Sequence, residues 1–592
     1  MNEFINYLNS TNNVGGNSTG SLAESQVKSS FYDSIKVDRK LGTYITDCVT
    51  SGNHQAFILT GHAGDGKTSI LVQVLKTLGY LQPGAGLRVE EEFANFLYIK
   101  DMSEIAAEKQ ANALRMALAA PQGRRTSLLI SNTGPLLKTF ETLVKEQKEA
   151  SGEDFTDEDR MELQSTLLTQ LDSNDDNAIE VGGYPFILVN IARVDNVPFA
   201  AKILKNILAD GLWEPCANCP CSNRCPIKSN HDIVTQQFDR VAAFIENYYR
   251  YLYENDKRMT IRQMVGQISY ALTGNLTCND VMSRHLRAPF FNYNFANLFF
   301  GYIGLKPSKD AAQIKGIEQI WNLELDRIAL DVDYQLFVSL DYSCFAPLIQ
   351  DELKALSTKH RKHYQITNED QILDEKKHEK ELQLRRVVRR FYLMFSLAEN
   401  ASDVDHVMDQ VFGSLYTEYR KLILERQSRN VLKIMKNKIF DALYMKNTGF
   451  LPTGNEDLPL TLRREDDVFQ NVMIVLGELT RSDLSVVQVK ATSKFEDVDN
   501  KHELVLMMEG KSFRLTLPMV NYFANLINGA IASNNNPALS HGIAQLDAIL
   551  LECYGEGKPD CEEDCELTVI INTTRGQEIE RFSFDGNRLS LS

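Results

Sequence analysis

The segment Gly61-His62-Ala63-Gly64-Asp65-Gly66-Lys67-Thr68 constrains this chain more than any other. It follows the pattern of a glycine, four further residues, then Gly-Lys and a hydroxyl residue. An apolar run from Gln55 to Thr60 leads into it, and beyond Thr68 apolar residues recur at Ile70, Leu71, Val74, Leu75 and Leu78. A short continuous run followed by a helical period reads as strand, turn and amphipathic helix. In that setting glycines at 61, 64 and 66 let the backbone curl, so that successive N–H groups point inward beside the positive end of a helix. Such a loop cradles phosphates. Lys67 is expected at the β and γ phosphates of ATP and the Thr68 hydroxyl at Mg²⁺, with His62, Ala63, Asp65 and Ser69 completing the binding segment.

The chain around this loop is long and ordinary in composition. Its 592 residues are 43% hydrophobic and 24% charged, which suits several folded domains rather than a disordered or fibrous chain. No transmembrane-length apolar stretch and no basic leader region stand out, so no membrane association and a cytoplasmic location are expected. The net charge of −16 repels polyphosphates in the far field, so nucleic-acid contact must be local or made with partners.

Further apolar runs at 96–99 (FLYI), 127–131 (SLLIS) and 184–191 (YPFILVNI) alternate with helix-like stretches at Glu104–Ala119 and Thr133–Lys148. Strands alternating with helices imply a parallel α/β sheet. Residues 151–180 read as an insertion on its rim. The expected organisation is a flexible segment over 1–30, an α/β nucleotide-binding core over 31–215 and a cysteine segment over 216–230. A helical lid over 231–300, a helical domain over 301–450 and a C-terminal α+β domain over 451–592 follow, the last beginning at the linker LPTGNEDLP.

Hydrolysis requires an acid at the end of a neighbouring strand. Asp101, after FLYIK, is the best match, either as a ligand in the Mg²⁺ shell or as an ordinary strand-end residue capping the next helix. In ATPases that insert a strand beside the loop strand, the acid is expected one apolar run later, but that run ends in Ser131-Asn132-Thr133 and carries no carboxylate. Either Asp101 serves directly, or Asn132 and Thr133 work with an acid from elsewhere. Asn190, closing the fourth run, is the expected polar sensor of an AAA+-type site, with Arg193 close behind. Arg262 lies in the first turn of a helix announced by the capping box Thr260-x-x-Gln263, where a cation opposes the helix dipole. It is either held for a phosphate or a solvated surface residue.

Four of the ten cysteines, Cys216, Cys219, Cys221 and Cys225, fall within ten residues, among Pro215, Pro220 and Pro226. Crowded thiols in a reducing compartment point to a metal, tetrahedral Zn²⁺ as first choice, with thiols that hold no metal and an iron–sulfur cluster as the alternatives and His231 as a substitute ligand. Further along, LRRVVRRFY sets Arg385 with Arg389 and Arg386 with Arg390 on adjacent turns of a helix, downstream of KHRKHY at 359–364. The stripe reads either as a track for a phosphate backbone or, given Asp374, Glu375, Glu379 and Glu381 nearby, as a salt-bridged helix face.

With GHAGDGKT, KDMSE, ISNTGPLL, the close cysteine cluster and RMTIRQM in this order, the chain resembles the DptF family, P-loop ATPases of DNA phosphorothioation-dependent restriction systems. The resemblance implies a defence protein that works with DptG-like and DptH-like subunits on DNA lacking the phosphorothioate mark and reaches DNA through that complex. It assigns nucleotide and Mg²⁺ binding to Gly61, Gly64, Gly66, Lys67 and Thr68. The missing Asp-Glu at 132–133 departs from the usual ATPase pattern, so slow or partner-stimulated hydrolysis is expected. The competing expectation is a nucleotide-gated scaffold that binds ATP without useful turnover.

Overall fold

The computed structural model describes all residues except 13–28, 63, 83–84, 174–176, 284–289, 365–374, 398–400, 455, 463–471, 491–494, 496, 498–500, 530–535, 557–564, 574–575, 585–588 and 592. The chain forms two units. The first comprises Met1–Val411 with Thr492–Asp499, the second Phe412–Ala491 with Asn500–Ser592.

The first unit holds six strands: β1 (Ala56–Thr60), β2 (Glu90–Glu92), β3 (Phe96–Ile99), β4 (Thr126–Ile130), β5 (Ile179–Val181) and β6 (Tyr184–Asn190). They form one sheet in the order β2-β3-β4-β1-β6-β5. The inner four strands are parallel, with Phe57 opposite both Leu128 and Ile187 and Leu97 opposite Ser127. The short edge strands β2 and β5 are antiparallel. Every residue of β1, β3 and β4 is buried, because helices cover both faces, and this is why these strands read as continuous apolar runs.

Alternate residues supply two cores. Phe57 and Leu59 pack with Leu41 and Ile45 of helix α2 (Lys40–Ser51; α1 is Glu3–Asn12) and with Ile70 and Val74 of α3 (Lys67–Thr77). On the opposite face Ile58 and Phe186 pack with Leu114 of α4 (Ala107–Ala119), Phe140 of α5 (Thr133–Ser151) and Leu167 of α6 (Asp157–Ser173). Each such large side chain contributes roughly 1.5–3 kcal/mol of burial.

The fold departs from expectation in three places. Residues 3–12 form a helix rather than a flexible arm, because Phe4, Ile5 and Leu8 share one face and are buried; 13–28 lie outside the described residues. The 151–180 stretch is only partly a rim, since Leu163, Leu167 and Leu171 of α6 belong to the sheet's core while β5 adds an edge strand. The boundary between the units falls at Val411/Phe412 and not near 451.

After the sheet, the first unit continues through α7 (Phe199–Ile207), α8 (Asp210–Ala217), α9 (Pro226–Gln236), α10 (Phe238–Glu254), α11 (Ile261–Thr273) and α12 (Cys278–Ser283). A two-stranded hairpin of β7 (Tyr302–Ile303) and β8 (Lys306–Pro307) and the long helix α13 (Glu375–Phe395) follow. In the second unit α14 (Ser414–Leu424) and α15 (Arg429–Thr448) precede β9 (Leu458–Leu462), β10 (Val472–Leu479), β11 (Leu484–Lys490), β12 (His502–Met508) and β13 (Lys511–Arg514). Then come α16 (Leu517–Ile527), α17 (Pro537–Glu556), β14 (Cys565–Thr573), β15 (Gly576–Phe584) and β16 (Leu589–Leu591). Strands β16-β15-β14-β10-β9 form one antiparallel sheet and β11-β12-β13 another. Ile439, Phe440 and Leu443 of α15 are buried, and Tyr419 of α14 donates to the Leu515 carbonyl at 3.2 Å, which explains why these helices belong to the second unit. Among the described residues no helix is long and apolar enough to cross a membrane.

Candidate functional site

The carboxyl ends of the parallel strands are where an open α/β sheet leaves backbone groups unpaired and ligands bind. Residues 61–66 connect the end of β1 to the first turn of α3 there. Gly64, at φ +90°, has no room for a side chain: a Cβ would stand 3.1 Å from Thr260 Oγ1 and 3.3 Å from Arg262 Cβ. The loop is thus pressed against the start of α11, whose Thr260–Gln263 capping box is formed. The N-termini of α3 and α11 meet at one loop, so two positive helix ends converge on it.

Lys67 Nζ donates to the carbonyls of Gly61 at 2.5 Å and His62 at 3.1 Å. Burial holds its ammonium below the usual lysine range, opposed by the charges of Asp65 and Asp101. Arg262 is half-buried, and burial alone pushes its guanidinium below the ordinary arginine value. Among the described residues no carboxylate or acceptor pairs with it. A partly desolvated cation without a counter-ion, in the first turn of a helix and against a glycine loop, is poised for an anion.

Asp65 sits differently from the sequence expectation. Its side chain is fully buried and turned away from the cradle: Arg258 Nη1 donates to Oδ1 at 2.6 Å, and the His62 N–H donates to Oδ2 at 2.8 Å. Asp65 N itself donates to the His62 carbonyl at 3.3 Å. The residue braces the loop from behind. Thr68 is half-buried at the start of α3, His62 is exposed, the Ser69 hydroxyl bonds Tyr32, and Ala63 lies outside the described residues.

Asp101 follows β3, one strand removed from β1. It caps the next turn, with Oδ1 accepting from Ser103 N at 2.9 Å and Ser103 Oγ at 2.8 Å, and it lies within electrostatic reach of Lys67. Strand β4 stands between β3 and β1, and the Thr133 hydroxyl after it meets Thr60 Oγ1 at 2.8 Å. Asn190 lies on the other side of β1, at the end of β6; its Oδ1 accepts from Ala192 N at 3.1 Å and its Nδ2 donates to Leu171 O at 3.2 Å. Arg193 pairs with Asp172 on the surface at 2.5 Å.

Three residues at the site carried no signal in the motif. Arg258 has only its place at the head of RMTIRQM. Arg39 donates from Nη1 to the Asp65 carbonyl at 3.1 Å and stacks over Phe199. Asp497, from the Thr492–Asp499 segment of the first unit, faces Arg39 at 3.7 Å with both side chains almost fully buried and accepts from Lys40 N at 2.9 Å. Its neighbour Phe495 is buried in the sheet's core.

Three of the four arginines of the stripe are in ion pairs. Arg385 bonds Glu381 at 2.6 Å, Arg389 bonds Asp333 at 3.0 Å, and the buried Arg390 bonds Asp326 at 2.7 Å and stacks over Tyr302. The side chains of 359–364 and of 374–375 lie outside the described residues. Unpaired cations occur instead in the second unit, around an open groove of about 1030 Å³ between the start of α15 and strands β11 and β12. Arg426, Arg429, Lys433 and Lys490 line it, are exposed, and have no carboxylate partner among the described residues. Arg429 and Lys433 are like charges one turn apart at the start of α15, an arrangement that costs a few tenths of a kcal/mol without an anion.

Cys216, Cys219, Cys221 and Cys225 are free thiols in the passage from α8 to α9. Among the described residues no three His, Cys, Asp or Glu side chains are grouped to hold one metal ion. His231 is turned elsewhere, with Nε2 toward Leu208 O at 3.2 Å and its ring on Trp213. Comparison of the chain with protein-family models, curated proteins and solved structures gave no match.

Proposed function

We propose that this chain is an AAA+-like P-loop NTPase that binds ATP and hydrolyses it slowly or on stimulation by partners, within a DNA-directed restriction complex. The observation that carries the reading is the convergence at Gly64: a glycine loop, two helix N-termini, Lys67 and the unpaired Arg262 surround one point at the carboxyl edge of a parallel sheet. A polyphosphate satisfies all of these groups at once.

The strand order supports the AAA+-like assignment. With β4 inserted between β1 and β3, the acid position is the end of β3, and Asp101 fills it. The polar residue at the end of the inserted strand is then Asn132, and Asn190, engaged as a cap beyond β1, gives up the sensor role. Thr68 and Asp101 have oxygens suited to Mg²⁺, a hard cation that takes oxygen ligands. When bound, Mg²⁺ neutralises charge on the β and γ phosphates. Lys67 would exchange the carbonyls of Gly61 and His62 for phosphate oxygens, and Arg262 would hold the terminal phosphate from the α11 side.

The basic groove of the second unit supports direct contact with a DNA backbone, in addition to contact through DptG-like and DptH-like subunits. The second reading, a nucleotide-gated scaffold, is favoured by the residue after Asp101, the buried Met102, which offers no second carboxylate to activate water. Phosphate release from ATP, measured for the full chain alone and with duplex DNA and partner subunits, separates the two. Turnover that rises on their addition supports the ATPase, and saturable ATP binding with no turnover under any condition supports the switch.

A further inference from the structure

A pocket of about 160 Å³ in the first unit has five cysteines in its lining: Cys216, Cys219, Cys221 and Cys225 of the cluster, and Cys278. The last stands more than fifty residues beyond the others in sequence. The fold brings it in because α11 ends at Gly274 in the left-handed region, the chain reverses, and α12 begins at Cys278 behind a Thr277–Asp280 cap. Cys216 is within electrostatic reach of Cys219 and Cys278, and Cys225 of Cys216 and Cys278. The Cys221 sulfur accepts from Arg224 Nη2, three residues on, at 3.4 Å.

Five reduced thiols from segments far apart in sequence line one partly open pocket, an accumulation that packing alone does not call for. Single-ion coordination does not explain it either. Zinc at about 2.3 Å from each sulfur would draw the four thiols to within roughly 3.8 Å of one another, and no three of the described ligating side chains are so grouped. An inorganic iron–sulfide core sits between its cysteines and spaces them farther apart. Its surroundings also suit a thiolate-bound cluster: Asn2 Nδ2 donates to Cys216 Sγ at 3.4 Å, and the N–H groups of Ile227 and Lys228 at the start of α9 bond Cys225. Cys225 is followed by Pro226, and the three ligands in the segment are spaced C-x2-C-x5-C-P.

We propose that Cys216, Cys219, Cys225 and Cys278 ligate a four-iron, four-sulfide cluster, with Cys221 outside the ligand set. The cluster pins together the chain's first residues, the α8–α9 passage and α12. The inference does not depend on the nucleotide reading.

The test is the metal content of the full chain purified without oxygen. The expected result is about four iron and four acid-labile sulfide per chain, with broad visible absorption that bleaches on reduction. Cys221→Ser keeps iron and colour; Cys278→Ser loses both. Alkylation of the wild-type chain gives a second reading that does not depend on the variant's folding: Cys278 is protected in the iron-loaded protein and labelled after oxidative chelation. Stoichiometric zinc, absence of both metals, full iron retention in Cys278→Ser, or labelling of Cys278 before chelation would each overturn the proposal.

Discussion

Arg258 Nη1 stands 2.6 Å from Asp65 Oδ1, and the Nη2 of the same guanidinium donates to the carbonyls of Ile191 at 2.8 Å and Val194 at 3.2 Å. The glycine loop is thereby tied to the segment after β6 and to the approach to α11. Asp65 contributes its second oxygen to the His62 N–H, so one buried carboxylate sets the curl of the loop. The pair is a brace for the site and not part of its ligand surface.

Asp65→Ala leaves the largely buried Arg258 charge without its partner. Breaking a buried pair in this way costs about 3–5 kcal/mol, so the first unit is expected to unfold at lower denaturant than wild type and ATP affinity to fall with it. Denaturant titration followed by circular dichroism measures the loss. An Asp65→Ala chain with unchanged stability would mean that the pair does not brace the loop.

Among the described residues the Arg262 side chain has no partner to strand, so Arg262→Ala is expected to leave the unfolding midpoint within experimental error. ATP should bind about tenfold more weakly, the scale of one charge-assisted contact to phosphate. Isothermal titration beside a melting curve separates the two effects. Lost stability with unaltered affinity would make Arg262 a structural residue.

Asp101→Asn retains the Ser103 cap in part, because an amide oxygen still accepts, but removes the charge near Lys67. ATP binding is expected to persist while hydrolysis drops at least tenfold. Asn132→Ala should also slow turnover, and Asn190→Ala should not. Steady-state phosphate release gives all three; equal loss in Asn190→Ala and Asn132→Ala would contradict the strand assignment.

In the second unit, replacing Arg426 and Lys433 by Glu is expected to weaken duplex binding uniformly across sequences. If each contacts one phosphate, the slope of log affinity against log salt falls by about two. Fluorescence anisotropy at several salt concentrations measures it. A double variant with the wild-type slope would remove the groove from the DNA surface.

How much of this was legible in the sequence follows from what kind of contact each residue makes. The strands at 56–60, 96–99, 126–130 and 184–190 were legible because burial on both faces writes itself as an unbroken apolar run. The loop and the Thr260–Gln263 cap were legible because their chemistry is local. Strand order is not local: in sequence order Asp101 competes with a site built on Asn132 and Thr133 with an acid from elsewhere, and only the sheet shows β4 lying between β3 and β1. Asp497 and Cys278 reach their partners only through tertiary contacts across long stretches of chain, with no periodicity to announce them. The Arg385–Arg390 stripe misleads as a phosphate track for the same reason. Its partners Asp326 and Asp333 lie in another segment, and the unpaired cations near Arg429 show no comparable run.

Titration of ATP with Mg²⁺ into the wild-type chain and into Lys67→Ala tests the central claim most directly. Among the described residues Lys67 is held by two loop carbonyls, and its charge is disfavoured by burial, so its removal should not lower stability. The account predicts saturable binding by wild type and at least a tenfold loss of affinity in a Lys67→Ala chain that melts no earlier. Equal affinity in the folded variant, or no binding by wild type, would contradict it.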